Sequence, residues 1–278
     1  MNGTWDSDEP PPHQPITPGG WLRVALRAPA LAVLVFGGLV LLLLVRLIEQ
    51  PLNGLHRPVT PGITVFVCRN ALRILGLRHE VIGQPMAGRG AVVANHSSWL
   101  DIFVLNAAKR IYFVSKSEVA RWPGIGWLAR ATGTVFVVRD PAHARQQTAL
   151  FQQRLLAGHK LLFFPEGTST DGLQVLPFKS TLFQAFFAPE LKDAISVQPV
   201  SVVYHAPPGA ERRFYGWWGE MTFGGHLLAT LAPARQGHVQ VIYHEPLRVA
   251  DYPGRKALAR ACEEIVRAGH ERLRATQH

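Results

Sequence analysis

Cysteine is nearly absent from this chain of 278 residues, and acidic side chains are outnumbered. The two cysteines, Cys68 and Cys262, stand far apart without Cys or His companions at metal-ligand spacing, which excludes a disulfide framework and a zinc site. No internal repeat occurs, and no low-complexity tract lies beyond the first twenty residues. With 29 basic against 19 acidic residues the formal charge is +10, so the chain is attracted to something anionic. Nucleic acid, anionic lipid headgroups and phosphorylated cofactors all fit that description. Because no basic run with interleaved aromatics and no nucleic-acid motif is present, nucleic acid is the least favoured partner.

One region lacks charge altogether. Residues Ala28 to Val45 are 18 uncharged, mostly Leu and Val positions bounded by Arg27 and Arg46. As a helix they span about 27 Å, close to the hydrocarbon thickness of a bilayer. A membrane helix is expected, with a buried core helix as the alternative. A secretory signal is disfavoured by the long Pro-rich leader and by the missing small-residue cleavage pattern before Pro51. Arginines flank both ends, so the positive-inside rule leaves topology open. The leader, residues 1–20, has almost nothing to bury and is expected to be disordered. After a break at Pro58 to Gly62, Ile63 to Leu75 reads as a second helix, with Arg69 and Arg73 among apolar residues. That pattern suits either a headgroup surface or packing on the chain's own domain. Residues 21–76 are therefore assigned to anchoring helices.

From about Leu77 strands and helices alternate, the pattern of an α/β fold whose central sheet is mainly parallel and flanked by helices. Strands are predicted at 79–82, 91–94, 112–115, 135–138, 161–164, 197–203 and 239–243. Helices are predicted at 99–107, 124–131, 142–157, 181–188 and 254–276. The stretch 207–233, with Trp217 and Trp218, reads as an irregular insertion, its aromatics forming a hydrophobic cluster under a loop or contacting lipid.

Candidate chemistry collects where strands end. Asn95-His96-Ser97-Ser98-Trp99-Leu100-Asp101 follows a short buried strand, with Ser97 or Ser98 expected to cap the next helix. Strand C-termini are where α/β sheets bind ligands. A residue just before a helix and one in its first turn can fold together, so Asp101 can accept from one imidazole nitrogen of His96 while the other takes a proton. A second cluster, Phe163 to Gly172, turns at Pro165 and Gly167 and delivers Glu166 to the same edge, either to bond an acceptor hydroxyl or to hold the site together. Lys179 opens a later helix and can reach an anion near its positive end. Arg139 ends the strand Gly133 to Val138, and its planar fork suits phosphate or carboxylate.

These clusters, in this order, resemble the glycerolipid acyltransferase family that includes bacterial 1-acyl-sn-glycerol-3-phosphate acyltransferase, over roughly 77–249. The N-H-x-x-x-x-D block is matched by Asn95, His96 and Asp101, the G-x-x-x-x-x-R block by Gly133 to Arg139, and the F-P-E-G-T block by Phe164 to Thr168. A Val-rich strand with a proline is matched by Val197 to Val202. The resemblance implies an acyltransferase domain over 77–278, catalysis by His96 and Asp101, and substrate contacts at Asn95, Arg139, Glu166, Gly167, Thr168 and Lys179. It also implies an acyl-CoA or acyl carrier protein donor, a lysolipid acceptor in the bilayer, and no metal or cofactor. The family's F-P-E-G-T-R-S has an arginine, associated with the acceptor's glycerol phosphate, where this chain has Ser169. The stretch Glu166 to Gly172 followed by Leu176 to Ser180 instead looks like the lyso-ornithine lipid O-acyltransferases, whose acceptor carries an amino-acid headgroup. Arg139 leaves lysophosphatidate open as a further acceptor.

The expected reaction is direct transfer from an acyl thioester to a lipid hydroxyl, on the cytoplasmic face of the inner membrane. A serine hydrolase route through Ser169 is the chemical rival, but Gly167 to Asp171 lacks the closing glycine of G-x-S-x-G. His96 and Asp101 alone make a poor metal site. A non-catalytic lipid-binding protein is the alternative of a different class, and such a protein has no need of the His96 and Asp101 pair.

Overall fold

The computed structural model describes residues 5–11, 15–137 and 144–275. Among these, the alternation beginning near Leu77 becomes one eight-stranded sheet: β1 (Arg78–Gly83), β2 (Gly90–Ala94), β3 (Tyr112–Lys116), β4 (Val135–Val137), β5 (Leu161–Phe163), β6 (Ser196–His205), β7 (His238–Tyr243) and β8 (Leu247–Arg248). The order is β1-β7-β6-β2-β5-β3-β4, with β8 pairing β6. All neighbours run parallel except β6 with β7 and β6 with β8. The expected mainly parallel α/β fold is present.

β2 shows why this sequence makes a central strand. Val92 and Ala94 enter one apolar core while Ala91 and Val93 enter the other, so the strand is buried on both faces, as a period-two side-chain alternation under two helical layers requires. Gly90 opens it at φ +148°, where a Cβ would strike the Ser196 carbonyl of the adjacent strand. The first core is covered by α1 (Pro18–Asn53), α2 (Thr60–Leu75) and α3 (Asp101–Ala108). The elements that follow are α4 (Ile125–Thr132), α5 (Ala144–Leu156), α6 (Pro189–Lys192), α7 (Phe223–Leu231) and α8 (Arg255–Ala275). α7 adds to the first core, and α5, α8 and a 3-10 helix over Ser180–Phe187 cover the second.

Several boundaries differ from the sequence reading, each for a local reason. The uncharged run 28–45 is the middle of a 36-residue helix that starts at Pro18, where the Thr17 hydroxyl accepts from Gly20 N–H at 3.1 Å. α2 begins at Thr60, earlier than expected, because the buried Glu49 carboxylate accepts from the N–H groups of Val59 and Thr60 at 2.8 and 3.1 Å and so caps it from the preceding helix. α3 starts at Asp101 instead of Trp99, and neither serine side chain caps it. The helix predicted at 181–188 is of 3-10 type. The insertion 207–233 is partly regular, since it contains α7, while Tyr215 and Trp218 are buried as a local cluster.

α1 is long and apolar enough to cross a membrane, yet it is tied to the domain along its length. Val24 and Leu31 join the first core. Near its start Arg23 and Arg27 donate to the carbonyls of Ala232, Leu231 and Pro233 at 2.7 to 2.8 Å, satisfying the C-terminal end of α7. Beyond its end Arg57 donates to Ala131 of α4 at 3.0 Å. The opposite face, including Val33, Val40, Leu44, Leu47 and Leu52, is exposed, so the buried-core alternative for this helix does not hold. In α2 the stripe Cys68, Ala71, Leu72, Leu75 is buried at helical spacing, so this helix packs on its own domain.

Candidate active site

The end of β2 is fixed by β6, which continues past it. Asn95 Nδ2 donates to the Val202 carbonyl at 2.9 Å and its Oδ1 accepts from Val202 N–H at 2.8 Å. Both the nitrogen and the oxygen of the Asn95 amide are thus engaged with β6, and the chain leaves β2 in a defined direction. The next residue, His96, places Nδ1 2.7 Å from Asp101 Oδ2. The same oxygen accepts from the N–H groups of Ser97 and Ser98 at 2.9 and 3.1 Å. The carboxylate therefore reaches backward from the first turn of α3, and the serines contribute backbone donors where a side-chain cap was expected. Asp101 is fully buried, while the His96 side chain is 21 % exposed. Among the described residues none hydrogen-bonds Nε2 of His96. The imidazole lies flat on Phe164, ring centroids 4.0 Å apart and planes 12° off parallel.

The second cluster clamps the first. Glu166 is 1 % exposed, with Oε1 accepting from the backbone N–H of His96 and Oε2 from that of Leu176, both at 2.7 Å. Burial pushes this carboxyl up to about 8, against the pull of the Leu176 and His96 donors, with the Asp101 charge adding to the rise. Of the two roles open to Glu166 from sequence, the geometry is that of holding the site together. Thr170 N–H donates to the His96 carbonyl at 3.0 Å and Trp217 N–H to the Ser97 carbonyl at 2.8 Å, so the backbone of the His96 loop is tied from both sides. Gly167 turns the chain at φ +74°, and a Cβ there would lie 2.7 Å from Lys179 Nζ. Lys179 is thus stacked on the F-P-E-G-T turn, and it precedes a 3-10 helix in place of the α-helix expected from sequence. Thr168 Oγ1 accepts from the N–H of Trp5 at 3.2 Å, and Glu9 pairs with Arg213 at 3.2 Å, so residues 5–9 of the leader lie against this loop and the 207–233 insertion. Arg139 falls outside the described residues.

Two contributions escape sequence reading. Phe164 was visible as the opening residue of the F-P-E-G-T block, but not as the ring on which His96 stacks. Tyr204, whose hydroxyl donates to Asp101 Oδ1 at 2.6 Å, is 103 residues away and carries no local signal.

A mainly parallel α/β sheet with a carboxylate-held imidazole at the C-terminal end of a central strand is the layout of an enzyme that works by proton transfer, and the comparisons with known proteins say of which kind. An acyltransferase family model matches residues 78–203. The chain is 60 % identical to the lyso-ornithine lipid O-acyltransferase of Rhodobacter capsulatus, over 95 % of this chain and 96 % of that one. It is 38 % identical to the protein of the same name from Brucella abortus, over 73 % and 79 % of the two chains. A shorter match, 39 % over 95 residues, is to the 1-acyl-sn-glycerol-3-phosphate acyltransferase of Neisseria gonorrhoeae, covering 34 % of this chain and 37 % of that one. The crystal structure of the 1-acyl-sn-glycerophosphate acyltransferase of Thermotoga maritima shares the fold, with a TM-score of 0.63 at 22 % identity over 92 % of this chain and 96 % of that one. The chain belongs to the glycerolipid acyltransferase family, in the branch that holds the lyso-ornithine lipid O-acyltransferases. It is an enzyme that transfers acyl groups, and its relatives act on lysolipids.

Proposed function

We propose that this enzyme moves a fatty acyl group from an acyl thioester, on coenzyme A or acyl carrier protein, to the free hydroxyl of a lyso-ornithine lipid. The observation that carries the mechanism is the 2.7 Å bond from His96 Nδ1 to a buried Asp101, which leaves Nε2 as the proton acceptor. The lipid hydroxyl attacks the thioester carbonyl while Nε2 takes its proton. Asp101 holds the ring orientation and stabilises the imidazolium, which returns the proton to the departing thiolate. Asn95 and Glu166 position the His96 loop, Gly167 and Thr168 form the turn beside it, and Lys179 supplies a cation next to that turn. No protein nucleophile and no metal enters this scheme. The amino-acid headgroup is supported by Ser169, which stands where phosphate-binding relatives carry arginine, and by the 60 % identical relative.

Lysophosphatidate is the second reading, favoured by Arg139 at the end of the G-x-x-x-x-x-R block. Residues 77–278 form the acyltransferase domain in this proposal, and α1 and α2 bring it to the membrane. Because α1 is docked at both ends, it lies along the surface with its exposed apolar face in the lipid, and the domain sits on the cytoplasmic face of the inner membrane, where acyl thioesters are made. The test supplies purified enzyme with lyso-ornithine lipid or lysophosphatidate separately and identifies products by mass spectrometry. Product from lyso-ornithine lipid is expected, and product from lysophosphatidate alone overturns the assignment. His96→Ala is expected to lower turnover about a hundred to ten thousand-fold while leaving membrane binding intact.

A further inference from the structure

Asp101 has a fourth donor, and it comes from the far end of the longest strand. The pairing of β2 with β6 ends at Ala94 and Val200, and β6 runs on to His205. That overhang lies over the loop 95–101, pinned there by the Asn95 bonds to Val202. Two residues further on, the buried Tyr204 donates its hydroxyl to Asp101 Oδ1 at 2.6 Å. Asp101 Oδ2 is meanwhile occupied by His96, Ser97 and Ser98. Both carboxylate oxygens are therefore engaged, and among the described residues Tyr204 supplies the one hydrogen bond to Oδ1.

We propose that Tyr204 is a positioning residue of the acyl transfer: its hydroxyl fixes the plane of the Asp101 carboxylate and weakens that carboxylate's hold on the proton that His96 must receive and release. The proposal rests on the reading of His96 as the base. A carboxylate whose charge is shared among several donors orients an imidazole without capturing its proton. Remove one donor from a fully buried carboxylate and the His96 and Asp101 pair binds its proton more tightly, whichever residue carries it. The ionisable groups around this bond are His96 from the loop after β2, Glu166 from the turn after β5, and Tyr215 from the insertion, whose ring centroid is 5.6 Å from that of Tyr204. Arg267 on α8 acts on Glu166 from behind. Burial and the adjacent Asp101 charge hold the Tyr204 hydroxyl well above its ordinary value, so it keeps its proton and remains a donor.

The test is Tyr204→Phe, which removes one oxygen from a packed ring, with Tyr215→Phe as its control. Tyr215 is buried as well, but its hydroxyl donates to Gln236 and accepts from Gly237 N–H at 2.6 and 3.0 Å. For Tyr204→Phe we expect kcat at neutral pH to fall about tenfold with KM for donor and acceptor unchanged. The acid limb of the rate profile is expected to move about one unit to higher pH, so that the loss shrinks in alkaline buffer. Tyr215→Phe should leave that limb where it is. An unchanged rate, a uniform loss at every pH, or an equal shift in Tyr215→Phe overturns the proposal. His96→Ala is run alongside: if it retains turnover, the base assignment itself fails, whereas an inactive His96→Ala with an unshifted Tyr204→Phe profile removes only the role of Tyr204.

Discussion

Glu166 illustrates how much a single buried carboxylate does at this site. Each of its oxygens accepts one backbone N–H, so the geometry demands an acceptor at both positions. Glu166→Gln keeps the shape but turns one oxygen into an amide that faces either His96 N–H or Leu176 N–H. The unmet donor costs about 1–3 kcal/mol, enough to lower the melting temperature by several degrees in a domain of this size. Because both N–H groups belong to segments that Glu166 ties together beside the base, and one of them is that of His96 itself, activity should fall by more than stability suggests, about a hundredfold, as single-turnover kinetics can show. The His96 and Asp101 pair was legible from sequence because a loop of five residues at a helix start brings its ends together by itself. The bonds of Glu166 to His96 and of Tyr204 to Asp101 were not, since they span 70 and 103 residues and exist only once strands pair.

At the scale of the element, α1 is one helix with two jobs divided between its faces. Its inner stripe, Val24, Leu31 and Leu42, is buried in the protein, and its outer side is apolar and exposed among the described residues. Replacing the exposed Val40, Leu44 and Leu47 together by serine removes apolar area that folding does not use. Vesicle flotation should show partitioning reduced about a hundredfold or more, with the melting temperature nearly unchanged. Leu42→Ala should do the reverse, costing about 2–5 kcal/mol of stability with little effect on partitioning. The sequence displayed the uncharged core of this helix plainly. Its true length, and the docking of its ends by Arg23, Arg27 and Glu49, depended on partners up to 209 residues away.

Across the whole molecule, buried neutral histidines set the acid limit. His159, His226 and His270 are each pushed down to about 4, chiefly by burial. At His226 the cause can be seen atom by atom: Nδ1 accepts from the Trp99 indole N–H at 2.8 Å, and protonation would put two donors face to face. Unfolded, these histidines titrate near 6.5, so between about 6.5 and 4 the unfolded chain binds more protons than the folded one. The contribution of these histidines to stability is therefore greatest above about 6.5 and falls as the pH drops, by on the order of 2 kcal/mol per histidine at pH 5. Glu166 partly offsets this fall, because its raised carboxyl favours the folded state as it protonates. Thermal unfolding at pH 7.5 and 5 should differ accordingly, and His226→Gln should reduce the difference.

Sequence alone determined the alternation that makes an α/β sheet, the apolar helix, and the positions of the strand-end clusters, because each is written in local periodicity, turn chemistry or short spacing. It also carried the family, through Asn95, His96 and Asp101 and the Phe164 to Thr168 turn. Tertiary structure alone decided what those clusters do to one another. The pairing of β2 with β5 and β6 sets Glu166 beneath His96 and Tyr204 behind Asp101, and such contacts follow from strand order, which no local signal encodes.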